Sequence, residues 1–349
     1  MDRVLRTTHT SRLSLSQYAD GIFAGDRSVL AKAITLIEST HRGDSAMAAE
    51  ILEICGDQTA DSITIGVTGV PGAGKSSLID VLGRHVITTC QEKVAVLAID
   101  PSSRLTGGSI LADKARMPFL AASQMAFIRP SPSGVGLGGI GPRTREVILI
   151  CKAAGFRTVF IETVGIGQSE TSVRDMVDFL LLVAIAGAGD ELQGIKRGVM
   201  EVADMIAVNK ADSSNVREAE KARAVAEIAL HYFPPSASGW TPLACVCSAC
   251  TGLGIGEIWS QITKHHGMLR QNGFLAQLRR EQGLAWFHES IDRSLKQMFV
   301  SAEAVQKRLA DIEKEVVAGQ TTPLAAARQL LLLYDSDRQR RAKKRESLL

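Results

Sequence analysis

The chain has 349 residues, of which 45% are hydrophobic, 22% charged and 5% aromatic, and a formal net charge of +3. That length predicts about two structural units with room for a sizeable core, and the composition excludes wholesale disorder, a collagen-like repeat and a disulfide-stapled mini-scaffold. Six basic and three acidic residues fall in 335–349, which leaves the rest balanced at 34 of each, so no basic stripe for nucleic acid is expected on the body.

The first twenty residues mix Arg3, Arg6 and Arg12 with Ser and Thr, as a mitochondrial presequence does, but Asp2, Asp20 and the short span favour a loose N-terminus. Val29, Leu30, Ala33, Ile34 and Ile37 then fall at helical spacing over 27–39, and a second helix is predicted over 46–54. From Ile63 the pattern changes to short, apolar, β-branched runs. Strands are predicted at Ile63–Thr68, Val94–Ile99, Ala126–Arg129, Thr158–Glu162, Phe179–Ile185, Met205–Val208 and Leu243–Cys247. Helices are predicted between them at Lys75–Val86, Arg143–Ala154, Val216–Tyr232 and Ile255–His265. Continuous apolar strands alternating with helices imply an α/β fold, a mainly parallel sheet covered by helices on both faces.

After Gly273 the signal is helical throughout, with turns expected at Gly283 and Gly319. Leu284, Phe287, Ile291, Leu295 and Met298 form one apolar stripe there, and a second copy of the chain is the natural cover for it. The domain scheme expected is an N-terminal helical arm over 1–60, a nucleotide domain over 61–270, a C-terminal helical dimerisation arm over 271–335 and a basic tail over 336–349. The tail is expected to be solvated, with an acidic partner or RNA as the alternative. The longest apolar run, Phe179–Gly189, has eleven residues, against about 20 for a membrane span. With six scattered cysteines and no secretory segment, a cytoplasmic setting without membrane or nucleic-acid partners is expected.

The chemistry begins at Gly69-Val70-Pro71-Gly72-Ala73-Gly74-Lys75-Ser76, followed by Ser77, between a predicted strand and a predicted helix. Glycines let backbone N–H groups face phosphate oxygens, the helix N-terminus adds partial positive charge, Lys75 reaches the outer phosphates and Ser76 can ligate Mg²⁺. Asn209-Lys210-Ala211-Asp212 follows a later strand. A carboxylate there accepts two hydrogen bonds from guanine, and adenine offers no matching donor pair, so Asp212 selects GTP or GDP. Cys247-Ser248-Ala249 is the expected loop over the base. Asp100 and Glu162 close strands beside the phosphates, where carboxylates serve Mg²⁺ directly or through water; a helix N-cap or a surface charge is the plainer alternative for either. Asp113 lies in the stretch Thr106–Met117, whose Gly107-Gly108 predicts mobility, and is a candidate switch residue.

Cys245, Cys247 and Cys250 lack a His or Cys partner at zinc-like spacing, so they are not expected to hold a metal. His265-His266 is expected to be a solvated helix end, and Trp240, Trp259 and Trp286 to be packing residues.

The runs Ile99-Asp100-Pro101-Ser102-Ser103, Glu162-Thr163-Val164-Gly165-Ile166-Gly167-Gln168-Ser169-Glu170 and Gly187-Ala188-Gly189-Asp190-Glu191-Leu192-Gln193-Gly194-Ile195-Lys196 closely resemble the MeaB/ArgK/MMAA proteins. These are SIMIBI-class P-loop GTPases that act as chaperones of adenosylcobalamin-dependent acyl-CoA mutases. The resemblance runs from about Arg27 to Tyr334. It implies a homodimer formed through the C-terminal arm, Lys75 and Ser76 on the phosphates and Mg²⁺, and Asp100 and Glu162 on the metal and its water. It further implies Asp113 in a first switch, Gln168 in a second, and Asp190–Lys196 as a third switch in which Lys196 couples mutase contact to hydrolysis. The Gly134–Pro142 stretch is richer in glycine than the resemblance leads one to expect. Ile166 stands where Ras-like enzymes carry a water-orienting glutamine, so slow intrinsic turnover is expected. Two competing readings are a SIMIBI-class metallochaperone, which lacks its His-rich or paired-cysteine signature here, and an ArgK-type kinase, against which Asp212 speaks.

Overall fold

The computed structural model describes residues 13–39, 41–56, 61–100, 115–132, 141, 143–163, 173–185, 197–212, 215–234 and 236–346. It divides into two compact units, Met1–Arg279 and Arg280–Leu349.

The first unit is built on a seven-stranded, wholly parallel sheet in the order β3-β2-β4-β1-β5-β6-β7. The strands are β1 (Ile63–Gly69), β2 (Val94–Asp100), β3 (Ala126–Pro132), β4 (Thr158–Glu162), β5 (Phe179–Ile185), β6 (Met205–Asn209) and β7 (Leu243–Val246), so every strand expected from the sequence forms, with ends shifted by at most three residues. Alternation of side chains assigns the two faces. Ile63, Ile65, Val67 and Phe160 point to one core, shared with α4 (Lys75–His85), α5 (Pro118–Ala122) and α9 (Ile255–Gln271). Ala95, Leu97, Val159 and Ile161 point to the other, covered by α1 (Leu15–Phe23), α2 (Arg27–Glu38), α3 (Arg42–Cys55) and α6 (Thr144–Ala153). A smaller cluster packs α7 (Arg197–Val202) and α8 (Val216–His231) on β5 to β7. β3 is a sheet edge, and Pro130 and Pro132 on it remove donors that would otherwise template further pairing.

The second unit contains the bulk of α10 (Phe274–Val300) with α11 (Glu303–Val317) and α12 (Pro323–Glu346). Val305, Ile312, Ala326 and Leu330 form its core, with the Phe299 and Tyr334 rings tilted against each other at a centroid distance of 5.5 Å. Leu284, Phe287, Ile291, Leu295 and Met298 remain 39–59% exposed along α10, a continuous apolar stripe within this unit.

Three expectations are corrected. The N-terminus is not loose from Leu15 onward: α1 starts with a capping box in which the Ser14 hydroxyl accepts from Gln17 N–H and the Gln17 side chain accepts from Ser14 N–H. Gly283 makes no turn and lies inside α10, whereas Gly319 does end α11 with φ +70°. His265 does not end its helix. α9 continues to Gln271 and stops at Gly273, whose φ of +76° lies in the left-handed region that favours glycine.

His265 is 1% exposed, edge-on to Phe179 and Trp240 at 5.0 and 4.9 Å, with Nε2 3.6 Å from Asp204 Oδ1 and neither ring nitrogen hydrogen-bonded among the described residues. Burial, with the Arg174 charge, pushes its pKa down to about 3. The unfolded chain takes up that proton near pH 6.5, so stability falls as pH drops from about 6.5 toward 3. Relative to His265→Phe, which keeps the ring packing and leaves Asp204 in place, the wild-type protein is expected to lose about 1 kcal/mol per pH unit in that window, measured by urea unfolding at pH 7, 6 and 5.

Candidate nucleotide site

The C-terminal ends of β1, β4, β6 and β7 meet on one side of the sheet, and β1 lies where the strand order turns back on itself, the position at which open α/β sheets take ligands. The loop from Gly69 to Gly74 joins β1 to α4 there. Gly69 has φ +142°, and any Cβ on it would collide with the Val183 carbonyl; Gly74 has φ +83°, and a Cβ on it would lie 2.7 Å from Asn209 Nδ2. No side chain caps the N-terminus of α4, so its first backbone donors are left for an anion. Val70, Pro71, Gly72 and Ala73 complete the loop, and Ser77 is exposed one position beyond Ser76.

Lys75 is buried, its ammonium donating to the carbonyls of Gly69 (2.9 Å) and Val70 (3.2 Å). Ser76 Oγ donates to Glu162 Oε1 at 2.6 Å, across from α4 to the end of β4. This hydroxyl and carboxylate form an all-oxygen pair, the donor chemistry that Mg²⁺ prefers. Among the described residues no cluster of three His, Cys, Asp or Glu offers an alternative metal site.

Asn209 ends β6 and links three segments. Its Nδ2 donates to Ala73 O (2.8 Å), and its Oδ1 accepts from Ala249 N–H (3.1 Å) and the Cys247 thiol (3.8 Å). Lys210 adopts φ +64°, and Ala211 N–H reaches Cys247 O at 3.0 Å. Ser248 Oγ donates to Asp212 Oδ2 at 3.2 Å, which fixes one carboxylate oxygen and its orientation. The expected base-binding tetrapeptide and the expected base loop are thus held together through side chains. Burial pushes Cys247 up to about 12 and Cys245 higher still, so both remain protonated thiols.

The side chain of Asp100, and Asp113, Gln168, Asp190 and Lys196, lie outside the described residues, as does most of Gly134–Pro142. Two buried residues beside the site were not singled out from the sequence: Thr68 and Thr163, whose hydroxyls meet at 3.0 Å. Their only signal is position, Thr68 just before the P-loop and Thr163 just after Glu162.

The family model described as "Methylmalonyl Co-A mutase-associated GTPase MeaB" matches residues 30–304. The chain belongs to the MeaB family. A putative GTPase of Caulobacter vibrioides is 44% identical over 322 residues, covering 92% of this chain and 98% of that one. GTPase ArgK of Escherichia coli is 45% identical over 271 residues, 78% of this chain and 82% of that one. The mouse protein named methylmalonic aciduria type A homolog, mitochondrial, is 36% identical over 326 residues, 90% and 78% respectively. The crystal structure of a LAO/AO transport system kinase superposes with a TM-score of 0.70 at 34% identity, covering 93% of this chain and all of that one. This MeaB-family chain is therefore a P-loop GTPase, and guanine nucleotides are its ligands.

Proposed function

We propose that this GTPase is a chaperone of a B12-dependent acyl-CoA mutase, using GTP binding and hydrolysis to gate adenosylcobalamin loading and to protect or reactivate the mutase. The observation that carries the reading is the match of a mutase-associated GTPase family over both the nucleotide domain and part of the helical arm. The name of the mouse relative, given for a methylmalonic aciduria, supports it.

In this reading the β1–α4 loop, from Gly69 to Ser77, cradles the phosphates. Lys75 leaves its two carbonyl acceptors for phosphate oxygens, a charge-assisted exchange that strengthens with ligand charge. Asn209, Lys210 and Asp212 with Cys247, Ser248 and Ala249 enclose the base. Ser76 holds Mg²⁺, with Glu162 and Asp100 on the metal or its water. Mg²⁺, when bound, neutralises charge on the β- and γ-phosphates. Asp113 and Gln168 belong to nucleotide-sensing segments, and Asp190–Lys196 senses the mutase, with Lys196 coupling contact to hydrolysis. Because Ile166 supplies no water-orienting amide, turnover is slow until the partner reorganises these segments. The protein works in the cytoplasm, without membrane or nucleic-acid partners; among the described residues no helix is long and apolar enough to cross a membrane.

The exposed α10 stripe joins two copies into a homodimer. Phe287→Glu places a charge on the stripe and is expected to yield monomers at micromolar concentration by analytical ultracentrifugation, while GDP affinity stays unchanged. A dimer that survives this substitution removes the stripe from the interface. The chaperone reading is tested by titrating purified mutases into the protein loaded with GDP or a non-hydrolysable GTP analogue. One mutase should bind with an affinity that differs between the two nucleotides, and equal affinities for both would contradict gating.

A further inference from the structure

Glu162 is the last residue of β4, and its register partner is Val67 on β1, two residues before the P-loop begins. A carboxylate at the end of a strand has several rotamers, yet here it meets Ser76 Oγ at 2.6 Å. The next residue explains why the strand end is fixed. Thr163 N–H donates to Val67 O at 3.1 Å, which carries the β1–β4 pairing one residue past the strand. Thr163 Oγ1 donates to Thr68 Oγ1 at 3.0 Å. Thr68 is fully buried and Thr163 only 2% exposed, so solvent does not compete for this bond. Thr68 is in turn the residue that leads into Gly69, which pairs with Val183 on β5 and where a Cβ would collide with the Val183 carbonyl. The two hydroxyls therefore clasp the strand end that carries Glu162 to the strand end that carries the P-loop.

We infer that Thr163 is a positioning residue for Glu162, setting the reach of that carboxylate to Ser76 and so the affinity of the site for Mg²⁺. A buried hydroxyl pair costs desolvation and contributes a modest net energy, so packing alone would be served as well by valine at either position. Hydroxyls kept in the shell behind a carboxylate that faces a hard cation fit a role in holding that carboxylate in place. The inference rests on the proposed roles of Glu162 and Ser76 at the metal.

The test measures the Mg²⁺ concentration that half-saturates the slowing of fluorescent GDP release, together with GDP affinity in EDTA and the thermal midpoint. Thr163→Val, which keeps the branched shape and removes the hydroxyl, is expected to raise the half-saturating Mg²⁺ concentration about tenfold. Thr68→Val should do the same, the double variant should be no worse than either, and Thr163→Ser should restore the wild-type value. GDP affinity in EDTA should not change in any of them. An unaltered Mg²⁺ response in Thr163→Val, or an equal loss of GDP affinity with and without Mg²⁺, overturns the inference. Glu162→Gln separates the two layers. If it leaves the Mg²⁺ response intact, the metal role of Glu162 fails; if it weakens the response while Thr163→Val does not, only the clasp fails. A drop in thermal midpoint shared by Thr163→Val and Thr163→Ser, with no change in Mg²⁺ response, assigns the clasp to stability alone and also overturns the inference.

Discussion

Asp212→Asn is expected to lower GTP affinity by about a hundredfold or more and to raise affinity for xanthosine triphosphate. A site built to accept two guanine N–H donors leaves them facing an amide N–H after the substitution. Xanthine carries an oxygen where guanine has its exocyclic amine, so the asparagine amide regains a partner. The fold should tolerate the change, because Ser248 Oγ can donate equally to an amide oxygen in place of Asp212 Oδ2. Fluorescent-nucleotide competition measures both affinities. Unchanged GTP binding would remove Asp212 from the base pocket.

Asp178→Ala is expected to cost about 3–5 kcal/mol of stability, measured by chemical unfolding. Arg279 donates to Asp178 through Nε (to Oδ1, 3.0 Å) and Nη2 (to Oδ2, 3.0 Å), and Nη2 also reaches Ser62 O at 2.6 Å. Thr64 N–H donates to Asp178 Oδ2 at 2.8 Å, and Asp178 N–H returns to Thr64 O at 2.8 Å. Truncation would strand a partly buried guanidinium and leave the start of β1 short of an acceptor. Burial alone would raise the Asp178 pKa, but Lys152, Arg279 and Thr64 N–H outweigh it and hold the carboxyl below its usual range. The stability this contributes is present above the ordinary carboxylate pKa and is lost as pH falls through the depressed value in the folded state. By contrast, Lys221→Ala removes a solvent-exposed partner of Glu218 and should leave unfolding unchanged.

The sheet was legible in the sequence because each strand is an apolar, β-branched run bounded by turn residues, and parallel strands buried on both faces leave that pattern uninterrupted. Lys75, Ser76, Asn209 and Asp212 stand out in the sequence because G-x-x-x-x-G-K-[ST] and N-K-x-D are short local patterns with a definite chemistry, and the fold brings both patterns to the C-terminal ends of β1 and β6. Other features carry weaker signals. The Ser14-Leu15-Ser16-Gln17 cap was present in the sequence but sits in an Arg- and Ser-rich context. Gly283 resembles a helix stop in the sequence, but one glycine costs an established helix only about 1 kcal/mol, and α10 runs through it. His265 has the look of a solvated helix end, where positive charge suits the dipole, but the stop for its helix stands at Asn272-Gly273, and two aromatic rings, from β5 and the segment before β7, lie edge-on to it. The Thr68–Thr163 and Asp178–Arg279 contacts join residues 95 and 101 positions apart, and no local pattern announces such pairs.

GTP turnover by the purified protein, alone and with each of several B12-dependent acyl-CoA mutases, and with Lys196→Ala as the comparison, decides whether this GTPase answers to a mutase. A mutase chaperone should show slow hydrolysis alone, below about 1 s⁻¹, stimulation by one mutase, and loss of that stimulation in Lys196→Ala with nucleotide affinity retained. Turnover that is fast alone, or that no mutase changes, would contradict that role.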